Sequence, residues 1–556
     1  MEPNDPIASQ TDHPLHWYQP PPLPPELVLR QSAQFPPDDR STNAPPWLWI
    51  VVGVLLAVVI VMQRPHAPDP KEAKEDAAGL GTIEAPKSDI LILLGKLRIS
   101  MQSEAAAAPA GQTGGMGDPN VVMQGYVDQM AGWAGADFFS GPPSAKHPPL
   151  KKPDDLLSAA DRLRATILAG ESMGSEEIEW RLKDVEEDLD PKSVLHDDVR
   201  IIRALIEDNA PEAVSEADKD GFKKRHGWFA RIALTRGDDK SQIRQDAIRA
   251  GGIAMALIIG FAIVFGAAVV TGAVLLIVGG VMWITRGKAW WSMRRPNPAT
   301  EWPAESTGDD RNLPASRSGR GVWLETVGIF FFAFMVLGFG GRAVANAANH
   351  APWTIWITLI GQWAIALAIF WPIVRGVSWE RWRADIGWHR GRGVFREILS
   401  GIAGYLAGLP LYIGWACFCL VVYGLISAAL HAHPPSPKDN KVFDIIENGS
   451  PFALFMLYLL ATVWAPIVEE SIFRGALFRQ LRRRWPVVPA AMATAAVFAV
   501  AHPYPAIGWF LVGGLGFWFA ILRTWRGSLI ASATAHALHN GVALALIMTL
   551  LSLASE

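Results

Sequence analysis

The sequence predicts an all-α fold: a polytopic helical membrane protein of about nine spans, with a small, mostly helical soluble domain between spans one and two. Three observations predict it. Of the 556 residues, 50% are apolar and only 19% are charged, below the roughly 25% charged fraction of soluble domains. Tryptophan is abundant, at 24 against 7 tyrosines, and Trp is a residue that belts membrane interfaces. Apolar runs of spanning length recur from residue 253 to the end. Two cysteines exclude a disulfide scaffold and a Cys-rich zinc domain, and a net charge of -3 excludes a strongly basic nucleic-acid binder.

Each segment follows in order. Residues 1–46 form a polar, proline-rich stretch with Pro20, Pro21, Pro22, Pro24 and Pro25 clustered, which offers no packed core and reads as a disordered tail. Residues 47–63 carry the first apolar run, Trp47 to Met62, too far from the start and wrongly flanked for a cleaved signal peptide, and just long enough to span. Residues 64–250 regain charge and contain flexible tracts at Ala105–Gly117 and Gly141–Pro153. Ile178, Leu182, Val185 and Leu189 share one helical face, as do Val199, Ile202 and Leu205. Trp180, Trp228 and Phe229 are the candidate fillers of this small core.

Residues 251–375 and 376–556 are the membrane part. Runs at 253–284, 322–341, 352–374, 402–430, 452–470, 487–502, 507–522 and 529–551 complete the set of spans. The 253–284 run exceeds the ~20 residues a bilayer needs and, lacking a polar turn, reads as one tilted or protruding helix. Arg and Lys crowd alternate loops: Arg286, Lys288, Arg294 and Arg295; Arg375 to Arg396; Arg479 to Arg484; Arg523 and Arg526. The intervening loops are poor in them. The positive-inside rule then places the N-terminus in the cytoplasm and the C-terminus outside, and span parity alone places the 64–250 domain outside. The expected localisation is multi-pass in a cell membrane, taken as a bacterial inner membrane.

Polar residues within the last four spans carry the chemistry, because ionisable groups at membrane depth are costly and mark functional sites. They are Glu469, Glu470 and Arg474; His502; and His536 with Asn540. At ~1.5 Å per residue from the Arg-rich ends, Glu469, His502, His536 and Asn540 lie roughly 22, 25, 15 and 21 Å deep, one layer of the membrane. Glu470/Arg474 and His536/Asn540 are i, i+4 pairs, each on one helical face. A Glu in such a set can act as general base toward water, histidines can bind zinc or share the activation, and an amide can donate to an oxyanion.

The order Glu469-Glu470-Ser-Ile-Phe-Arg474, Phe498-Ala-Val-Ala-His502, His536-Ala-Leu-His-Asn540 resembles the CPBP family, the CAAX-protease and bacteriocin-processing (ABI) intramembrane proteases. Ala465-Pro466 and Phe473-Arg474-Gly475 fit the same pattern, and the resemblance covers roughly residues 385 to 551. It implies an all-helical membrane peptidase whose cavity opens toward the cytoplasm. It assigns Glu469 and His502 to water activation, His536 and Asn540 to the oxyanion, and Glu470 with Arg474 to their support. His502 and His536 are candidate zinc ligands. No His-Glu-x-x-His motif is present, so the residues fit either a zinc enzyme or a glutamate-dependent hydrolase without metal.

The reading is an intramembrane endopeptidase cutting at or within the membrane, and the alternative is a non-proteolytic CPBP-like scaffold or immunity-type binding protein. Expected partners are membrane lipids, a peptide or protein substrate and a binding partner of the 64–250 domain, without nucleic acid. His539 lies off the 536/540 face and reads as a neighbour. Cys417 and Cys419 read as packing residues, Arg482–Arg484 as an interfacial anchor, and Asn448-Gly449-Ser450 as a chance glycosylation sequon. Gly404 and Gly408 have the spacing that brings membrane helices close.

Overall fold

The computed structural model describes residues 44–62, 88–107, 154–171, 175–189, 193–238, 240–286, 321–348, 351–430, 450–504 and 506–554. The proline-rich tail, both flexible tracts over most of their length, the loop with Arg294 and Arg295, and Asn448-Gly449 lie outside the described residues. Every regular element among those described is helical. Seven helices are long and apolar enough to cross a membrane, and Pro46–Ile60 and Val487–Val500 are shorter apolar helices. A helical polytopic membrane protein is therefore what the chain builds, as its composition predicts.

Helix α1 (Pro46–Met62) lies parallel to α9 (Val322–Ala347). A Cβ on Gly321 would meet Ala44 and Leu48, and one on Gly328 would meet Val52. Between them in sequence stands a helical module: α2 (Ser88–Ala107), α3 (Asp154–Gly170), α4 (Ser175–Asp188), α5 (Val194–Ile202), α6 (Glu216–His226) and α7 (Trp228–Leu234). The expected faces are its core, for Ile178, Leu182, Val185, Leu189, Val199, Ile202 and Leu205 are all buried together with Trp228 and Phe229. Ser193 and Ser215 cap α5 and α6 by accepting from backbone N–H groups, the ordinary way a first helical turn is satisfied. Helix α2, which the sequence reading passed over, is central: a Cβ on its Gly95 would strike Leu168 and Trp228.

Helix α8 (Gln242–Arg286) has 45 residues and explains the overlong apolar run. Its first turns belong to the module, where Gly251 lets the helix approach the Lys96 carbonyl and Arg244 is ion-paired with Glu171 at 2.9 Å. From Ile253 to Ile284 its apolar side chains are mostly exposed, as a lipid-facing surface would be. It crosses α12 (Val394–Leu430) where Gly272 meets the Leu406 carbonyl.

The remaining elements are α10 (Ile355–Ile365, running on through a 3₁₀ turn to Val374), α11 (Trp379–Ile386), α13 (Pro451–Arg482), α14 (Val487–Val500), α15 (Ala506–Arg526) and α16 (Leu529–Ala554). Gly404 and Gly408 do bring α12 against α15: their Cβ atoms would strike Leu522 and Trp518, and the Trp518 indole donates to the Gly404 carbonyl at 2.9 Å. At the Arg-rich end α11 and the turn after it close the bundle. Leu529 N–H donates to the Gly387 carbonyl at 2.9 Å, Arg479 forks onto Asp385, and Arg526 forks onto the buried Glu397 at 2.7 and 2.8 Å. At the other end Lys96 of α2 donates to the Leu553 carbonyl at 3.0 Å. The module therefore sits over the C-terminal end of α16.

Candidate active site

Helix α13 is not a regular α-helix through its length. Leu460–Trp464 and Glu470–Leu477 are π-helical, a distortion concentrated at functional sites. The first has a cause in the sequence. Ala465 N–H bonds back to Leu460 rather than to Ala461, and the next residue, Pro466, has no N–H to offer. The Ala461 carbonyl is left to accept from Asn540 Nδ2, at 2.9 Å. The second π turn carries Glu470 and Arg474 at full burial.

Arg474 is held from several directions. It pairs with Glu470 Oε1 at 3.0 Å and donates to the Gly516 carbonyl at 2.9 Å. Its guanidinium lies 4.3 Å from the centroid of Phe498 and 5.4 Å from that of Phe519, favourable faces for a cation. Two glycines permit this packing: a Cβ on Gly516 would press on Phe498 and Arg474, and one on Gly475 would strike Ile386 of α11. The Phe-Arg-Gly run thus has a steric reason in this chain.

Glu470 Oε1 also meets His536 Nδ1, at 3.1 Å. A carboxylate can only accept, so His536 donates from Nδ1 and turns Nε2 toward the site. Phe519 stacks on the same ring, 5.0 Å away and tilted 24°. His502 is fixed by like logic. Its Nδ1 donates to the Phe498 carbonyl at 2.7 Å, and its ring lies between Phe498 at 4.7 Å and Tyr504 at 5.8 Å. The i−4 spacing of Phe498 and His502 is what brings that carbonyl under the ring.

Both Nε2 atoms face Glu469. Its Oε2 lies 4.0 Å from His502 Nε2 and 3.8 Å from His536 Nε2, and it has no hydrogen-bond partner although buried. Side-chain exposure is 16% for Glu469 and 23% for His502, against 0% for Glu470 and 5% for His536. Glu469 and His502 are thus the reachable pair, and Glu470 is walled in behind.

Five of the six sequence-derived residues, Glu469, Glu470, Arg474, His502 and His536, meet in one place, and Asn540, one helical turn beyond His536, bonds the Ala461 carbonyl. His539 does not join them, and lies between the rings of Tyr405 and Tyr412, 6.1 and 5.9 Å away. Sequence reasoning missed Phe519, Gly516 and the Ala461 carbonyl. Only the last left a legible signal, Pro466 five residues downstream. For metal, two imidazole lone pairs and a carboxylate are suitable donors, but their 3.8 and 4.0 Å spacings exceed the ~3.4 Å between ligands that ~2.0–2.1 Å bonds to a tetrahedral zinc require. No group of three or more His, Cys, Asp or Glu among the described residues is placed to hold a metal ion.

Residues 451–542 match the family described as Type II CAAX prenyl endopeptidase Rce1-like. The match contains all three motifs and is narrower than the 385–551 of the motif resemblance. The segment is similar to that family, which is consistent with a CPBP/CAAX protease family. No curated protein and no solved structure matches the chain.

Proposed function

We propose that the chain is an intramembrane endopeptidase that activates water with Glu469 and His502. The carrying observation is the unpartnered Glu469 Oε2 facing two histidine Nε2 atoms at 3.8 and 4.0 Å. The 4.0 Å gap between two acceptors, Glu469 Oε2 and His502 Nε2, is bridged by one water at about 2.8 Å from each. Such a water donates to both and keeps a lone pair for attack. Glu469 takes its proton as the oxygen adds to the scissile carbonyl carbon. The C–N bond then breaks as that proton passes to the leaving nitrogen.

His536 and Asn540 serve the oxyanion. Asn540 Nδ2 spends one hydrogen on Ala461 and has a second to give. The other donor is an Nε2–H of His536, whose Nδ1 is held by Glu470. Arg474 keeps Glu470 ionised at a depth where an unpaired carboxylate would be costly. This sequence uses no metal, so cleavage should survive exhaustive chelation. An enzyme stripped by chelator and restored by zinc would replace it with a zinc mechanism.

The test compares membranes carrying wild type or Glu469→Gln by proteomics for uncleaved precursors, followed by assay of a cleaved one with purified protein. Loss of about 10²- to 10⁴-fold in rate is expected for removing the base. Full cleavage by Glu469→Gln would overturn the assignment of the base, and no cleavage by purified wild type would favour the scaffold reading.

A further inference from the structure

Burial along the site-bearing helices is uneven in a consistent direction. Between the site and the Arg-rich end, Ser471–Phe478 and Phe519–Arg523 are buried on every side, and Ala531–Ala533 are buried as well. Toward the other end, every residue of Tyr458–Thr462, Leu511–Leu515 and Ala537–Asn540 is part-exposed. Four residues complete a helical turn, so in each stretch even the residues that pack toward the bundle, Leu460, Val512 and Leu515 among them, keep some exposure. A helix exposed only to lipid would keep one buried face.

The three stretches lie at one level. Asn540 bonds Ala461, which aligns α16 with α13. Phe519 stacks on His536, and α15 runs antiparallel to α16, so the residues just before Phe519 stand beside those just after His536. They therefore border a common space directly beyond the site. Helix α12 backs it, tied to α15 by the Trp415 indole donating to the Phe510 carbonyl at 2.8 Å and facing His539 with Tyr405 and Tyr412. Tyr458 and Thr462 stand opposite, where a Cβ on Gly541 would touch both. Glu469 and His502, the two reachable site residues, form its floor.

We infer that the site is entered through this vestibule, from the face that carries the α2–α7 module, and that the segment cut is a polypeptide presented on that face. The α2 contact with Leu553 sets the module at the same end of α16 as the mouth. The Arg-rich end is closed by α11, Glu397–Arg526 and Arg479–Asp385. With that end cytoplasmic by the positive-inside rule, the mouth opens outward, opposite to the cytoplasmic opening that the family resemblance implies. The substrate is then an exported or membrane-anchored polypeptide, its extended strand lined by tyrosine, tryptophan and histidine. The inference rests on the peptidase reading only in naming the entrant a substrate.

Thiol labelling tests it without turnover, so its failure and that of the peptidase reading are distinguishable. In full-length protein with Cys417→Ser and Cys419→Ser, single variants His502→Cys and Thr462→Cys report the floor and wall. Glu216→Cys on α6 and Arg484→Cys at the Arg-rich end are the side controls. A membrane-impermeant methanethiosulfonate is applied to vesicles of each orientation. Expected is labelling of His502→Cys and Thr462→Cys in the orientation that labels Glu216→Cys, and its loss in the other. Labelling with the sidedness of Arg484→Cys, or none while both controls label, overturns the inference. Should His502→Cys fail to accumulate, Thr462→Cys alone decides.

Discussion

Two buried trios in this chain use the same side chains to different ends. In the helical module, Asp198 is fully buried and accepts from Arg225 Nε at 2.8 Å and from His226 Nε2 at 3.0 Å. In the membrane core, Glu470 pairs with Arg474 at 3.0 Å and with His536 Nδ1 at 3.1 Å. Each is a carboxylate, an arginine and a histidine. The module's trio turns inward: Asp198 ties α5 to the end of α6, and the His226 ring packs on Phe222 at 4.9 Å. The core's trio is directed past itself, because His536 keeps Nε2 toward Glu469 and the space beyond. A buried charged trio is therefore not a site by composition. It becomes one where a group it orients is left unspent beside a reachable acceptor.

Removing each carboxylate is the strongest way to break this comparison. Glu470→Gln strands the fully buried Arg474, a loss of about 3–5 kcal/mol where one partner of a buried pair is removed, and Asp198→Asn leaves the part-exposed Arg225 without its carboxylate, a smaller loss. The outcomes should then diverge. Asp198→Asn lowers the stability of the module, read by denaturation, and leaves cleavage per folded molecule unchanged. Glu470→Gln loses cleavage even where folded protein is matched. If Asp198→Asn also abolished cleavage in folded protein, the module's trio would have to act on the site.

Asn540→Ala sharpens the core half of the comparison. An oxyanion donor is worth about 10²–10³ in rate, and the expected fall is in kcat with little change in KM. The neighbouring His539→Ala, whose ring faces Tyr405 and Tyr412 of α12, should leave kcat within a few-fold. Equal losses from both variants would mean that α16 packing, rather than the amide, is what cleavage needs.

Much of this was legible in the sequence because membrane burial makes charge scarce. Glu469, Glu470, His502, His536 and Asn540 stand out within apolar runs, and helical spacing alone pairs Glu470 with Arg474 and His536 with Asn540. The Gly404/Gly408 spacing likewise anticipated the close contact of α12 and α15. What stayed hidden depends on contacts between helices. Phe519 is one apolar residue among many in α15, and nothing local says that it stacks on His536. Helix α2 was passed over because its charges, Lys96 and Arg98, are buried with its apolar residues, so no amphipathic stripe announces it. The vestibule inferred beside the site is also nonlocal, since it is argued from which helical turns lack a buried face.

The smallest expected effect separates the module's trio from an ordinary salt bridge. Burial holds the His226 pKa below its usual 6.5, outweighing the pull of Asp198, and Arg164 and Arg225 push the same way as burial. Burial alone would raise Asp198, but the hydrogen bonds from His226 and Arg225 hold it below 3.8. His226 is thus neutral in the fold, donating to a carboxylate whose charge Arg225 balances. As pH falls through 6.5 the unfolded chain takes up a proton at this position that the folded chain refuses, so stability is full above 6.5 and declines below it. The slope is at most about 1.4 kcal/mol per pH unit for one proton. Asp198 adds its own loss only as pH drops below its unfolded value of 3.8. Hydrogen exchange of peptides covering α5 to α7, corrected for intrinsic rates, should show protection falling from pH 7.5 to 5.5, with a weaker dependence in His226→Gln. Protection that instead rose with acid would mean that His226 is an imidazolium in the fold and that the module's trio is held by ion pairing.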